Sequence, residues 1–293
     1  MHSPLQSPLQ PVMRSPLEFR RRGGGSFDIA STNPSAYYDR TNLATLFQDS
    51  AGTTPVTADS QPIGLGLDQS QGLELGPELV ISPYTGVPAG DWVISANSIE
   101  RNGTTTYNMY INIGSVSSKY VIVEFDLADY SGDTFTVKVG TGVIAGNILT
   151  AGHKKFMLPS GAGGEIYFIP WNGTAGQATI TNISVKEIKG NHQSQADAGK
   201  LPLTAGSPIY ANFDAVDDVL VATFPASLGA GCTVCRSLPG TGASITTGVT
   251  LTATYTDDVD AHFLAIYTAA QWAALDAGQI ANITALLNAK AGL

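Results

Sequence analysis

The feature that most constrains the fold lies between residues 76 and 188, a nearly unbroken series of strand-like segments separated by glycine-rich turns. Tyr120-Val121-Ile122-Val123-Glu124-Phe125-Asp126-Leu127 sets the pattern: Val121, Val123, Phe125 and Leu127 make one apolar face, while Glu124 and Asp126 lie on the other. A period of two over this length is a half-buried strand. Further strands are expected at Trp92 to Ser95, Tyr107 to Ile113, Phe135 to Val139, Lys155 to Leu158, Glu165 to Ile169 and Ala178 to Ile188. Short strands at short intervals predict a β-sandwich or jelly roll.

The flanking segments carry the same signal more weakly. Ser26 to Ile29 reads as a short strand, and Asp39 to Phe47 has room for a turn of helix. Strands are expected at Cys232 to Ser237, Ser244 to Thr247, Thr250 to Ala253 and His262 to Tyr267. The chain then turns helical. Thr268 with Gln271 and Asp276 with Gln279 have capping-box spacing. Ile280, Ile283, Leu286 and Leu287 share one helical face, and Gly292 lies just past the end. The expected fold is therefore all-β, with two sandwich or jelly-roll domains, one inserted in the other, an extended N-terminal arm and a short C-terminal helix. The boundaries are 1–25 for the arm, 26–75 with 189–293 for the discontinuous outer sandwich, and 76–188 for the insert.

The insertion is read from a motif in two pieces. Gly66-Leu67-Asp68-Gln69-Ser70-Gln71 and Gly190-Asn191-His192-Gln193-Ser194-Gln195, joined, resemble the L-D-x-S-G-x-G-N-H-x-x-Q run of concanavalin-like (laminin-G-like) jelly rolls in tailed-bacteriophage and prophage proteins. Leu46 to Val56 resembles the L-F-Q-D-x-A-G-T-T-P-V segment that precedes this module, with Pro55 confining its second half to an edge. Phe213-Asp214-Ala215-Val216-Asp217-Asp218-Val219-Leu220 is similar to its F-D-G-V-D-D-Y-L hairpin, with Ala215 in the place of glycine. The insert, with Glu78-Leu79-Val80 at its start, Trp92 in its second strand and Thr181 to Ile188 at its end, resembles a carbohydrate-binding-module jelly roll. Strands are fewer than such outer sandwiches usually have, so this one is expected to lean on the insert or on a neighbouring subunit.

The resemblance implies a non-enzymatic structural or adhesion component on the outside of a tailed-phage virion, made in the host cytoplasm without a signal peptide. A tail-fibre or tail-tip protein docked by its arm is the first reading. A capsid decoration or head fibre, and a free carbohydrate-binding module, are the alternatives. Partners implied are other virion proteins, further copies of the chain as a homotrimer, and a host surface glycan.

Charge bears on the partners. Of the formal −9, residues 1–25 hold a local +3 from Arg14, Arg20, Arg21 and Arg22 against Glu18, leaving −12 on the rest. An acidic body lacks the clustered cations that phosphate contacts require, so nucleic acid is not an expected partner. The arm repeats Ser-Pro-Leu, and its Pro4, Pro8, Pro16, Arg20, Arg21 and Arg22 are read as a docking strip, extended because each proline fixes its own φ and biases the residue before it. No apolar run reaches the ~20 residues needed to cross a bilayer, so membrane insertion is not expected.

Chemistry-bearing motifs are sparse. The Cys232-Thr233-Val234-Cys235 pair lies in a strand, where residues three apart face opposite ways; it reads as two small buried or half-buried side chains. Asp214/Asp217/Asp218 and Asp257/Asp258/Asp260 read as turn-forming carboxylates without the spacing of an EF-hand. His153, His192 and His262 are scattered, and His192 is expected to make a structural hydrogen bond. Gly161 to Gly164 reads as a loop. No catalytic residue, metal ligand or cofactor is expected. For a glycan, the candidates are Trp171, Asn172 and Tyr110, with Trp92, Tyr107 and Tyr167 placed in the core.

Overall fold

The computed structural model describes residues 27–87, 90–104, 108–114, 116, 119–131, 135–141, 145–148, 150–170 and 176–293. The fold is all-β, with antiparallel sheets throughout and two short helices at the C-terminus. No helix among the described residues is long and apolar enough to cross a membrane.

Residues 75–188 form two facing sheets. One runs Gly152–Pro159, Tyr120–Ser131, Gly176–Ile188, Ser98–Gly103, Trp92–Ile94, with Leu75–Glu78 also paired to Gly176–Ile188. The other runs Ala145–Ile148, Phe135–Val139, Glu165–Pro170, Met109–Asn112, Gly86–Val87. Alternation decides which side chains meet between them. Val121, Val123 and Phe125 are fully buried from the first sheet, as are Ile111, Val137, Ile166 and Phe168 from the second. Phe125 and Phe168 meet edge to face, 5.4 Å between ring centroids, the geometry favoured by the ring quadrupoles. Trp92 belongs to this core, with the Arg101 guanidinium 6.0 Å from its ring.

The flanking segments build two further sheets and a hairpin. Ala36–Asp39, Phe263–Tyr267, Gly229–Leu238 and Gly242–Leu251 make one; Leu46–Phe47, Leu65–Gly66, Gln193–Ser194, Leu220–Thr223 and Thr254–Asp257 make the other. Tyr38, Cys232, Val234 and Ile266 of the first pack against Ala222 and Tyr255 of the second. The opposite face of the first sheet, with Cys235, Phe263 and Tyr267, is closed by Ile283 and Leu287 of the Ala277–Lys290 helix. Both capping boxes form: Thr268 with Gln271 opens the Ala269–Ala273 helix, and Asp276 with Gln279 opens the longer one. Beside Ala222 and Tyr255, Leu46 and Leu220 of the second sheet pack with Ile63 on Ala211 of the Leu203–Ala205/Tyr210–Asn212 hairpin.

Three local expectations are corrected. Residues from Asp28 do not extend into a strand. The Asp28 carboxylate accepts from Ala30 N at 3.0 Å and caps a 3₁₀ turn, Ile29–Thr32, which ends at left-handed Asn33. Ser244 to Thr247 and Thr250 to Ala253 are not two strands but one, Gly242–Leu251, which passes Gly248 at φ +78°. Asp257 is not a turn residue; it is fully buried beside Arg40.

Candidate functional site

The two halves of the split motif come together at a polar joint between the 75–188 sheets and the flanking sheets. The chain leaves beside the point where it returns: Leu75 pairs with Ile188, and Lys189 N donates to Glu74 O at 3.0 Å. Asp68, fully buried, gathers the donors left over by these crossings. Its Oδ1 accepts from Tyr37 N at 3.0 Å and Ser70 N at 2.8 Å; its Oδ2 accepts from Asn191 N at 2.7 Å and Ser70 Oγ at 3.0 Å. Gly190, at φ +137°, has no side chain to spare, because a Cβ would lie 3.0 Å from that of Asp68. Asn191 extends the network, its Nδ2 donating to Ser35 O and its carbonyl accepting from Tyr38 Oη.

His192 sits beneath. Its Nδ1 accepts from Asp68 N at 3.0 Å, and its Nε2 faces Ile188 O at 3.1 Å. A carbonyl only accepts, so the proton is on Nε2 and the ring is neutral. Burial, first of all, holds its pKa below the ordinary 6.5; Lys119 pushes the same way, against the Ile188 carbonyl, Asp68 and Glu187. Tyr120 meets the imidazole edge-on at 5.4 Å and donates its hydroxyl to Ser50 O at 2.8 Å. Phe47, Leu65 and Leu67, packed on Tyr120 and Met157, supply the apolar part of the joint. A second buried network lies behind: Arg40 pairs with Asp257 and donates to Gln193 Oε1 at 3.1 Å, while Arg236 reaches Asp257 at 3.3 Å.

Beside the joint opens a cleft of about 410 Å³ between Lys119, Tyr120 and Ser160 on one side and Val221, Thr223 and Phe224 on the other. Its polar groups are largely committed already. Lys119 pairs with Glu187 at 2.9 Å, and Ser160 Oγ donates to the Val116 carbonyl.

A more open arrangement lies on the outer face of the Met109–Asn112/Glu165–Pro170/Phe135–Val139 sheet. Met109, Ile111, Ile166, Phe168, Val137 and Val139 point inward, so Tyr110, Tyr167 and Lys138 point out. The register sets Tyr110 opposite Tyr167 and Tyr167 opposite Lys138. The tyrosine rings lie 5.4 Å apart at 42°, and Lys138 Nζ stands 4.8 Å from the Tyr167 ring centre. Glu165 and Asn112, paired one step along, flank the row. Partial burial, then Glu165 and Tyr110, raises the Tyr167 phenol above its ordinary value. The result is a strip of aromatic surface with hydroxyl, ammonium, carboxylate and amide groups within reach of a flat, hydroxylated ligand.

The sequence candidates are distributed unevenly. Tyr110 is in the strip, and Tyr167, expected in the core, stands beside it half-buried. Trp171, Asn172, Tyr107 and the arm residues Pro4, Pro8, Pro16, Arg20, Arg21 and Arg22 lie outside the described residues. His153 is exposed against Asp126 at 2.9 Å, and His262 is buried against Ile209 O at 3.0 Å. Among the described residues, Asp214, Asp217 and Asp218 form a carboxylate group close enough for a cation. Their geometry is that of a turn: Asp214 Oδ1 accepts from the backbone N–H groups of Val216, Asp217 and Asp218, which lowers its pKa. Ala215 takes φ +59°, the left-handed conformation that a glycine would adopt freely. Arg40 and Asp257 were invisible as a pair, being 217 residues apart with nothing local to link them.

Comparison with protein-family models, curated proteins and solved structures returns no match for this chain.

Proposed function

We propose that this protein is a non-enzymatic structural and adhesion component of a tailed-phage particle, and that its 75–188 sandwich holds a glycan on the Tyr110/Tyr167 strip. The observation that carries the glycan reading is the strip itself: two adjoining half-buried tyrosines on a sheet face, with Lys138, Asn112 and Glu165 around them. Such rings offer apolar area to the C–H face of a sugar while their hydroxyls remain free to hydrogen-bond its rim, worth on the order of 1 kcal/mol per ring beyond area burial. The particle reading is supported by the resemblance of Leu46 to Val56 and of the split Asp68/His192 motif to phage modules. Within it, a tail-fibre or tail-tip element docked by residues 1–25 and assembled as a trimer is preferred over a capsid decoration or head fibre. A free carbohydrate-binding module is the second reading, favoured by a core cluster drawn wholly from residues 80–185.

The test is a glycan array probed with the intact protein, followed by Tyr110→Ala and Tyr167→Ala. Binding by the parent and a several-fold loss in each variant, with unchanged far-UV circular dichroism, is expected. A blank array, or binding indifferent to both substitutions, removes the strip as a site. Mass spectrometry of purified particles addresses the particle reading separately. There the chain should co-purify with virions, and its confinement to the soluble lysate counts for the free module.

A further inference from the structure

The apolar part of the joint contains a notch. Gly52, at φ +70°, has no side chain, and a Cβ there would collide with Met157 Cε and lie 3.5 Å from Met157 Sδ and 3.1 Å from Leu65 Cδ2. The thioether of Met157, on the Gly152–Pro159 strand, therefore reaches across to the flanking segments and fills the space that Gly52 leaves, alongside Phe47, Leu65 and Leu67. The loop that forms the notch is held from behind. The Asp49 carboxylate accepts from Thr53 N, Thr53 Oγ1 and Thr54 N at 3.0, 2.9 and 2.8 Å. Gly52 N donates to Asp49 O at 3.1 Å, and Tyr120 Oη to Ser50 O at 2.8 Å. Gly64 passes so close that a Cβ on it would lie 2.6 Å from the Asp49 carbonyl carbon.

Of the two methionines among the described residues, Met157 is the one an oxidant can reach. Met109 is fully buried in the sandwich core. Met157 is half-buried on the terminal strand of its sheet, paired on one side only, with Ile122 opposite it. A sulfoxide fits this place badly. Oxidation turns the apolar thioether into a polar S–O group, and the loop donors just named are already committed to Asp49 and Ser50. An S–O group kept in the notch would be buried without a partner, which costs the free energy of an unmade hydrogen bond. The open edge of the Gly152–Pro159 strand gives this flexible side chain a way out to water.

We propose that Met157 is an oxidative modification site, and that its sulfoxide unlatches the Gly152–Pro159 strand from residues 46–56. The oxidant is a peroxide. A lone pair of Sδ attacks one oxygen of hydrogen peroxide, the O–O bond breaks as the S–O bond forms, and the second oxygen leaves as water with both peroxide protons. Sulfur is oxidised and peroxide reduced, and a methionine sulfoxide reductase reverses the change. The effect is local. Phe156 and Leu158, the neighbours of Met157 in its strand, are the side chains that pack into the core at residues 80–185, so that core stays closed when Met157 leaves the notch. The hydrogen bonds of Asp68 and His192 do not involve the thioether and remain.

The experiment treats the intact protein with hydrogen peroxide. Peptide mass spectrometry should find one added oxygen on Met157 several-fold sooner than on Met109. Hydrogen exchange of the oxidised protein should rise in peptides covering residues 46–56 and 152–159, and stay unchanged in those covering 109–112 and 165–170. Met157→Leu fills the notch without a sulfur, so its exchange should be the same before and after peroxide; this variant also separates Met157 from Met1 and Met13 of the arm. Methionine sulfoxide reductase should restore the protection that the oxidised parent has lost. Oxidation of Met157 no faster than that of Met109 overturns the proposal. So does unchanged exchange at 46–56 once Met157 is oxidised, or a loss of protection that survives Met157→Leu. Should Met157→Leu not fold, the reductase decides: protection that stays lost as the Met157 sulfoxide is removed refutes the latch.

Discussion

Asp68→Ala is the sharpest probe of the polar joint. The carboxylate accepts from the amides of Tyr37, Ser70 and Asn191, at 3.0, 2.8 and 2.7 Å, and from the Ser70 hydroxyl. Alanine leaves three backbone donors without a partner in a site where Asp68 is fully buried. The Ser70 hydroxyl can turn to water, so only the amides are counted, at about 1–1.5 kcal/mol each, or about 4 kcal/mol in all. Asp68→Asn keeps the shape but turns an NH₂ toward two of the four donors, and should cost about half as much. For a chain of this size a loss of about 4 kcal/mol lowers the melting temperature of the affected part by roughly 10 °C. The loss must also be local. Differential scanning calorimetry should show one transition moving, and hydrogen-exchange mass spectrometry should place the lost protection in peptides covering residues 35–40, 65–72 and 189–195. Peptides from the Tyr120–Ser131 and Glu165–Pro170 strands should keep theirs. A loss below about 1 kcal/mol would refute the claim that the carboxylate alone satisfies these donors; an equal loss of protection in both strands would refute the separateness of the two cores.

The Arg40–Asp257 pair and the cysteines give two more tests. Arg40→Met should destabilise the flanking sheets by about 3–5 kcal/mol, because it leaves a fully buried Asp257 paired with Arg236 but without Arg40; Arg40→Met with Asp257→Leu should recover much of that in urea titrations, and no recovery would mean that the network matters for shape, not for charge. Cys232 and Cys235 face different clusters across their sheet, and burial pushes the Cys235 thiol up to about 12, so neither should react with iodoacetamide at about pH 8 until the sheet unfolds. Rapid alkylation of the native protein would contradict this.

What the sequence disclosed depended on how local the signal was. The Tyr120 to Leu127 alternation is seen in the burial of Val121, Val123, Phe125 and Leu127, and both capping boxes formed, since each needs only four consecutive residues. The expected structural bond of His192 is present, twice over. The strip was half-legible. Tyr110 was named, but Ile166 to Ile169 is apolar or aromatic at every position, so the parity that turns Tyr167 outward is hidden in its own strand. The signal was across the sheet, in Lys138, and cross-strand register cannot be read from one strand alone. Asp257 was misjudged for a related reason. Beside Asp258 and Asp260 it has the composition of a turn, and its burial depends on Arg40, which approaches only in the folded chain.

The joint is small beside the cores on either side of it. Its apolar contact is small, three buried side chains against Tyr120 and Met157, and apolar contact is not directional. The hydrogen bonds on Asp68, Asn191 and His192 tie the departing and returning segments to each other and to Ser35, Tyr37 and Tyr38, while His192 Nε2 reaches back to Ile188 O at the end of the Gly176–Ile188 strand. Removing one such bond costs little beside the burial in the cores that flank it. His192 is neutral in this network and burial holds its pKa below 6.5, so the stability it lends is complete above that value and declines as pH falls below it, and His192→Gln should flatten that decline in urea titrations. An acid decline unchanged in His192→Gln would mean that burial of this ring has no part in it.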